Sequence, residues 1–384
     1  MYQEPFFQID FSKPVSVQGR VQSIRDLGHL KFFTLQNQQD EWNVVYEGSC
    51  RIKRGDHLNV HGNMEQVQGR WELHASQVSF LGHRNPRGEL ANYFSAPRLR
   101  ALFTRSQALE AIHQYFVDQG FLQVHSPSIV SNWVNGQTGS FSMDFYGTPM
   151  NLTISNMMYH EIMMINGFTR IYEVAKIFRQ EHPSSIHRLA EFTIVDIGLA
   201  YCDKQKMMTV VEGMIYAIYE TLAQMELPGF VPQAVFETIT FDDLVERAGC
   251  PKFTGAQFPK KVRQYLQEHY DSFVWVTGFP EDKRPFFVRS TGGICADYQL
   301  WYRGVIYLAA GGERETDLAR IQKKIAAEGK NVASYQEILR FFETSVPPMC
   351  GIGMGLERFL ATVIPQTHVA DYIAFPRYQN HCTP

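Results

Sequence analysis

Between residues 14 and 83 apolar and polar positions alternate in short bursts: Val15-Ser16-Val17, Phe32-Phe33-Thr34-Leu35, Trp42-Asn43-Val44-Val45-Tyr46, Leu58-Asn59-Val60, Trp71-Glu72-Leu73 and Val78-Ser79-Phe80. Gly28, Gly48, Gly55, Gly62 and Gly69 punctuate them. Alternation with a period of two marks strands with one buried face, and short strands at this spacing predict a small antiparallel barrel of about five strands. From Ser106 the period changes. Leu109, Ile112, Phe116 and Phe121 fall near helical spacing and predict a helix ended by Gly120, followed by a short strand over 121–124 and Pro127. Residues 204–225 read as a second amphipathic helix.

Between these helices the chain predicts a long-looped antiparallel hairpin, with strands over 171–178 and 192–201 and a Pro-Ser-Ser turn at Pro183 to Ser185. Side chains alternate faces along a strand, so Thr193, Val195, Ile197, Leu199 and Tyr201 form an apolar face suited to a core. Phe192, Ile194, Asp196, Gly198 and Ala200 form the other, where Asp196 is a lone carboxylate. Arg179 and Glu181 stand before the loop, with His187 and Arg188 inside it. A guanidinium for phosphate beside a flat ring for a purine would cradle a nucleotide; an amphipathic hairpin with a charged, exposed loop fits the same pattern.

Charge narrows the partners. Across 384 residues there are 36 Lys+Arg against 39 Asp+Glu, a net charge of -3, so global charge does not support nucleic-acid binding. Residues 14–83 are locally neutral. The connector is basic: Arg84, Arg87, Arg98, Arg100 and Arg105 stand against Glu89. Six scattered cysteines without CxxC spacing argue for a reducing compartment and against both a disulfide framework and a zinc site. No secretory leader or apolar run of spanning length is read, so the expected setting is cytoplasmic, without a membrane partner.

FRQEHPSSIHRLAEFTIVD, residues 178–196, resembles motif 2 of the class II aminoacyl-tRNA synthetases in its aspartyl and asparaginyl form. The resemblance implies that Arg179 holds the ATP α-phosphate, Glu181 contacts adenine, Phe192 stacks on it and Asp196 meets the substrate's amino group. The family's Arg-His order is His187-Arg188 here, at the loop that grips the outer phosphates. AIHQYFVDQGFLQVHSP, residues 111–127, resembles motif 1, which implies a homodimer. The stretch from Pro347 to Phe359, with Gly351, Gly353, Gly355, Glu357 and Arg358, followed by Phe375-Pro376-Arg377, resembles motif 3. It implies Arg358 on the γ-phosphate and Gly353 and Gly355 giving the nucleotide close approach to backbone.

The family likeness covers almost the whole chain. It implies an N-terminal OB-fold β-barrel over residues 1–85, a basic linker over 86–105, and a C-terminal α+β catalytic domain over 106–384 built on an antiparallel sheet flanked by helices. GRVQSIRDLGHLKFFTLQN, residues 19–37, carries the barrel likeness: Phe32 matches an anticodon-stacking aromatic, while Asn43 stands for a Gln and Gln36-Asn37 for an Arg-Asp pair. Departures extend to the amino-acid pocket. Asn135 stands for a Glu, Met157 for a Gln and His160 for a Lys, beside a matching Ser155; Arg314 matches the side-chain contact. The resemblance implies ATP with Mg²⁺ as cofactors, but Gln299 and Tyr307 replace two carboxylates that hold Mg²⁺ in the family, and Asp297 and Glu313, of the same strand parity, are candidates for a displaced metal site.

Three readings follow. The first is ATP-dependent activation of an asparagine- or aspartate-like amino acid and its ligation to tRNA. The second is a diverged paralogue that passes the activated acyl group to a small non-tRNA nucleophile or activates an acid without an ordinary α-amino group. The third is a non-catalytic nucleotide-binding regulator.

Overall fold

The computed structural model describes residues 12–38, 40–81, 96–131, 139–180, 188–225, 227–231, 233–250, 258–304 and 306–378. The chain divides into two compact units, Met1–Thr104 and Arg105–Pro384.

In the first unit, β1 (Val15–Leu27), β2 (Leu30–Gln36), β3 (Glu41–Glu47), β4 (His57–Val67) and β5 (Arg70–Phe80) close into a barrel in the order β1-β2-β3-β5-β4. The alternating positions supply its core: Val15, Val17, Val21, Phe33, Leu35, Trp42, Val44, Leu58, Val60 and Leu73 are buried together. The two bursts at Trp71 and Val78 are one strand. Consecutive residues His61 and Gly62 of β4 pair with Gln77 and Ala75, so Ser76 is an extra residue in β5, which interrupts the alternation and makes β5 read as two pieces.

The helix expected from Ser106 starts at Ala96. Thus α1 (Ala96–Asp118) carries Arg98, Arg100 and Arg105, which the sequence reading assigned to a linker. Pro97 is tolerated because the first-turn N–H has no helical partner, and no breaker follows it before Gly120. The second unit continues with β6 (Leu122–Gln123), β7 (Ile129–Val130), β8 (Ser142–Phe145), β9 (Thr148–Leu152), α2 (Met157–Ile165), β10 (Arg170–Phe178), β11 (Glu191–Ala200) and α3 (Lys204–Ala223). Then come β12 (Phe236–Thr240), α4 (Phe241–Arg247), α5 (Lys260–His269), β13 (Phe273–Thr277), β14 (Ser290–Thr291), β15 (Ile294–Cys295), β16 (Asp297–Tyr302) and β17 (Ile306–Glu313). The last elements are α6 (Leu318–Ala327), α7 (Gln336–Leu339), β18 (Met349–Gly355) and α8 (Leu356–Val363).

Eight strands form one sheet in the order β12-β13-β16-β17-β18-β11-β10-β6. Its interior is antiparallel, as expected, but β12 and β6 pair in parallel with β13 and β10, so the sheet is mixed at its edges. The expected apolar face of β11 is core at Thr193, Val195, Ile197 and Leu199, which are buried, and so are Met207, Met208, Val211, Met214, Ile215 and Ile218 of α3; Tyr201, expected on that face, falls just past the end of the strand and is 68% exposed. The opposite face is partly bare, and the site lies there.

Candidate active site

The register of the sheet arranges its open face in rows. One row runs Gln299, Ala310, Gly353, Asp196, Glu173 across β16, β17, β18, β11 and β10. The next row runs Asp297, Gly312, Gly351, Gly198, Ile171. Over these rows lies a cavity of about 870 Å³, within the range of about 300–1,000 Å³ usual for small-molecule sites.

At one end, Phe192 and Arg179 stand together, the guanidinium carbon 5.4 Å from the ring centroid. Arg179 donates from Nε and Nη2 to the Ile154 carbonyl, at 3.2 and 2.9 Å, which aims it across the cavity wall. Arg188, Tyr307 and Arg358 line the same cavity. The Arg358 guanidinium lies over the Tyr307 ring, 5.7 Å from its centroid, and its Nε is buried without a hydrogen-bond partner. A Cβ at Gly353 would sit 2.5 Å from Asp196 Oδ1 and 2.7 Å from Ile194 Cδ1, so this glycine is required by space. Gly355 is not: a Cβ there would meet only Arg358 Cβ, at 3.7 Å.

At the other end, Arg314 lies flat on the glycine row. A Cβ at Gly351 would strike its guanidinium. Arg314 donates to the Gly312 carbonyl at 3.2 Å, stacks 5.0 Å from the Phe287 ring centroid, and pairs through Nε with Glu161 Oε1 at 2.8 Å. Both partners are buried. Burial pushes the Glu161 carboxyl up to about 7, against the pull of Arg314 and His160.

Between the two ends stands Asp196. It is not alone, because Glu173 faces it across the β10–β11 ladder. Glu173 accepts hydrogen bonds from the Ser126 N–H and hydroxyl, both at 2.7 Å, and lies 2.9 Å from His160 Nε2. Burial raises the Glu173 carboxyl, but the bonds to His160 and Ser126 outweigh it and hold it below its usual range. Asp196 has no such support. Its Oδ2 is buried without a partner, and burial pushes the carboxyl up to about 6.

Arg179, Arg188, Phe192, Gly353, Gly355, Arg358, Ser155, Met157, His160, Asp196 and Arg314 thus line one cavity. Asn135, Glu181 and His187 lie outside the described residues. Phe32 and Asn43 are neighbours on the outer face of the barrel, where Phe32 pairs with Val45 and Thr34 with Asn43. Phe32 is 39% exposed.

Two side chains of the site were missed in the sequence, Glu161 and Glu173, and a third, Glu357, was read as part of motif 3 but given no role. Glu173 was findable by giving β10 the same parity analysis as β11. Glu161 follows His160 directly. Glu357 accepts from the Thr193 N–H at 2.9 Å and from Arg105 Nε at 3.2 Å, a connection that no local spacing signals.

An anionic nucleotide fits these residues: the unpartnered Arg358 Nε and the bare backbone at Gly353 supply a donor and room. Magnesium does not fit. Gln299 and Tyr307 line the cavity where the resemblance places carboxylates. The candidates for a displaced site are committed elsewhere: Asp297 pairs with Arg284 at 2.5 Å, and Glu313 pairs with Arg289 Nε at 3.0 Å and accepts the Lys204 N–H at 3.1 Å. Neither lines the cavity. Among the described residues no group of three or more His, Cys, Asp or Glu is placed to hold a metal.

A family profile described as tRNA synthetases class II (D, K and N) matches residues 92–379. The chain belongs to this family. The aspartate–tRNA(Asp/Asn) ligase of Methanothermobacter thermautotrophicus is 25% identical over 415 aligned residues, covering 96% of this chain and 95% of the relative. The corresponding ligase of Archaeoglobus fulgidus is 24% identical over the same span, covering 96% of each. Among solved structures, asparaginyl-tRNA synthetase from Pyrococcus horikoshii complexed with asparaginyl-adenylate superposes with a TM-score of 0.84 at 19% identity, over 100% of both chains. A putative aspartyl-tRNA synthetase from Leishmania major gives 0.79 at 17% identity, over 97% of this chain and 91% of that one. The class II synthetase fold, an N-terminal five-stranded barrel with a large mixed sheet and helices, is therefore shared with this family.

Proposed function

We propose that this class II synthetase relative activates an amino acid of the asparagine or aspartate type with ATP, forming an acyl-adenylate, and passes the acyl group to tRNA. The observation that carries the reading is the spacing along β11. Phe192 and Asp196 are four residues apart on one strand face, about 14 Å at the rise of a strand, with the Arg314 end one step further. That is the span of a nucleotide joined to a short acid. The chemistry asks for no proton transfer in its first step. The substrate carboxylate attacks the α-phosphorus, the bond to pyrophosphate breaks, and Arg179 and Arg358 stabilise the charge that develops.

Glu161 and Arg314 together favour a carboxamide side chain: the guanidinium donates to its carbonyl oxygen and the carboxylate accepts from its NH₂. A side-chain carboxylate would instead set a second anion beside Glu161. With the Glu161 carboxyl pushed up to about 7, discrimination against the acid should weaken below that pH and strengthen above it. Asp196 offers its carboxylate to an ammonium group.

Met157 supports the second reading. Its thioether lines the cavity where the resemblance places an amide, removing one hydrogen-bonding group from the amino-group region. An acid without an ordinary α-amino group, or a small nucleophile in place of tRNA, suits that wall better. Exposed leucine and valine on the motif 1 side support a homodimer, as does the family likeness.

ATP–pyrophosphate exchange with asparagine, aspartate and related carboxylates tests the reading. Exchange with asparagine, favoured over aspartate increasingly as pH rises through about 7, is the expected result. Charging of tRNA in the same reaction selects translation over a small acceptor. Absence of exchange with every acid, in folded protein, would sink adenylation and leave a nucleotide-binding protein.

A further inference from the structure

We infer that this site holds its nucleotide without a protein-bound divalent cation, the phosphate charge being met by arginines and an amide donor instead. The inference rests on the adenylation reading and deepens it. It begins with Gln299. The Trp301 indole Nε1 lies 3.2 Å from Gln299 Oε1, and an indole N–H can only donate. The amide oxygen is therefore turned to Trp301. What remains for the cavity is the NH₂ group, which repels a cation and donates to a phosphate oxygen.

The second position tells the same way. Tyr307 places an aromatic ring under Arg358, 5.7 Å from guanidinium carbon to centroid. A carboxylate there would pair with the guanidinium and take up its donors. The ring supports the cation through its face and takes no N–H, and Arg358 Nε is buried without a partner. The cavity does carry other carboxylates: Glu161 is paired with Arg314, Glu357 is held by Arg105 and the Thr193 N–H, and Glu328 pairs with Lys330 at 2.7 Å, while Asp282 also lines it and Asp196 stands three strands from Gln299 along the same row. In a site walled by free carboxylates a metal is obligatory, because otherwise the wall repels the phosphates. Here neutral groups stand at both positions, so neither Gln299 nor Tyr307 repels the phosphates.

Calorimetric titration of the full chain with ATP, in magnesium and in excess EDTA, tests this, with AMP as a control ligand. ATP affinity should change by less than about threefold between the two media, and Mn²⁺ added to the protein–ATP complex should give the electron paramagnetic resonance signal of Mn–ATP in solution. In the Gln299→Glu, Tyr307→Glu double variant, ATP affinity in EDTA should fall by about tenfold or more and return with Mn²⁺. If the unaltered chain loses ATP affinity tenfold or more in EDTA but keeps AMP, the inference is overturned while the nucleotide reading stands. A double variant indistinguishable from the parent in EDTA would overturn it as well. Failure of ATP and AMP to bind in either medium overturns both the inference and the reading beneath it.

Discussion

Asp196 is the side chain on which charge and geometry conflict most. Its carboxylate is buried, one oxygen lacks a hydrogen-bond partner, and Glu173 stands opposite, while His160, Arg179 and Arg314 pull the other way. The balance leaves the carboxyl raised from 3.8 to about 6. For an acid whose folded pKa lies above its unfolded value, the folded state binds more protons between the two, so stability falls as pH rises through that window. The cost is absent below about pH 4 and complete above about pH 6. Asp196→Asn should therefore stabilise the free protein by roughly 2–3 kcal/mol near pH 8 and by little near pH 4. Denaturation curves at the two pH values check this; an equal gain at both would show that the carboxylate is not under strain. The same variant should lose affinity for an amine-bearing acid.

At the scale of elements, one connection holds the nucleotide end together. Arg105 of α1 donates to Glu357 of α8 at 3.2 Å and to the Thr193 hydroxyl of β11 at 2.8 Å, while Glu357 accepts the Thr193 N–H. Thr193 adjoins Phe192 and Glu357 adjoins Arg358, so helix, strand and helix are locked where the ring and the cation leave them. Arg105→Met would strand a buried carboxylate, at a cost of about 3 kcal/mol. It should also weaken ATP binding, and adding Glu357→Gln should recover part of both losses in a double-mutant comparison. A weaker fold with unchanged ATP affinity would assign the triad to stability alone.

Much of this scale is legible in the sequence. The β10–β11 hairpin and the barrel core follow from period two, because each strand has one wet and one dry face. The Arg105–Glu357 contact does not, since it joins positions 252 residues apart with nothing local to mark it. Glu173 escaped because the face was read along one strand, whereas a sheet's surface is assembled across strands. The parallel edges and the early start of α1 depend on what the neighbouring chain offers, which local period does not encode.

At the scale of the whole molecule, no helix among the described residues is long and apolar enough to cross a membrane. The question is what else covers its apolar surface. Strand β6 is an edge of the eight-stranded sheet, and there Leu122 is 50% exposed, with Val117 of α1 62% exposed. An open edge with apolar side chains invites association. If this is the homodimer interface, Leu122→Lys should convert dimer to monomer in sedimentation equilibrium. A dimer unaffected by the substitution, or a parent chain already monomeric, would place the interface elsewhere or abolish it.

The glycine row beneath Arg314 has an evolutionary corollary. Gly312, Gly351 and Gly198 lie side by side on three strands, and Gly351 and Gly198 line the cavity, so the floor of the acid end is backbone with nothing left to trim. A Cβ at Gly351 would strike Arg314, and one at Gly312 would come within 3.0 Å of Val288 Cγ1. A lineage drifting by single substitutions can therefore neither lower this floor nor raise it without displacing Arg314 or its neighbours. Longer acids would have to be admitted from the walls, by shortening Met157, Glu161 or Phe287, and that confines the history of specificity in such a site to its walls.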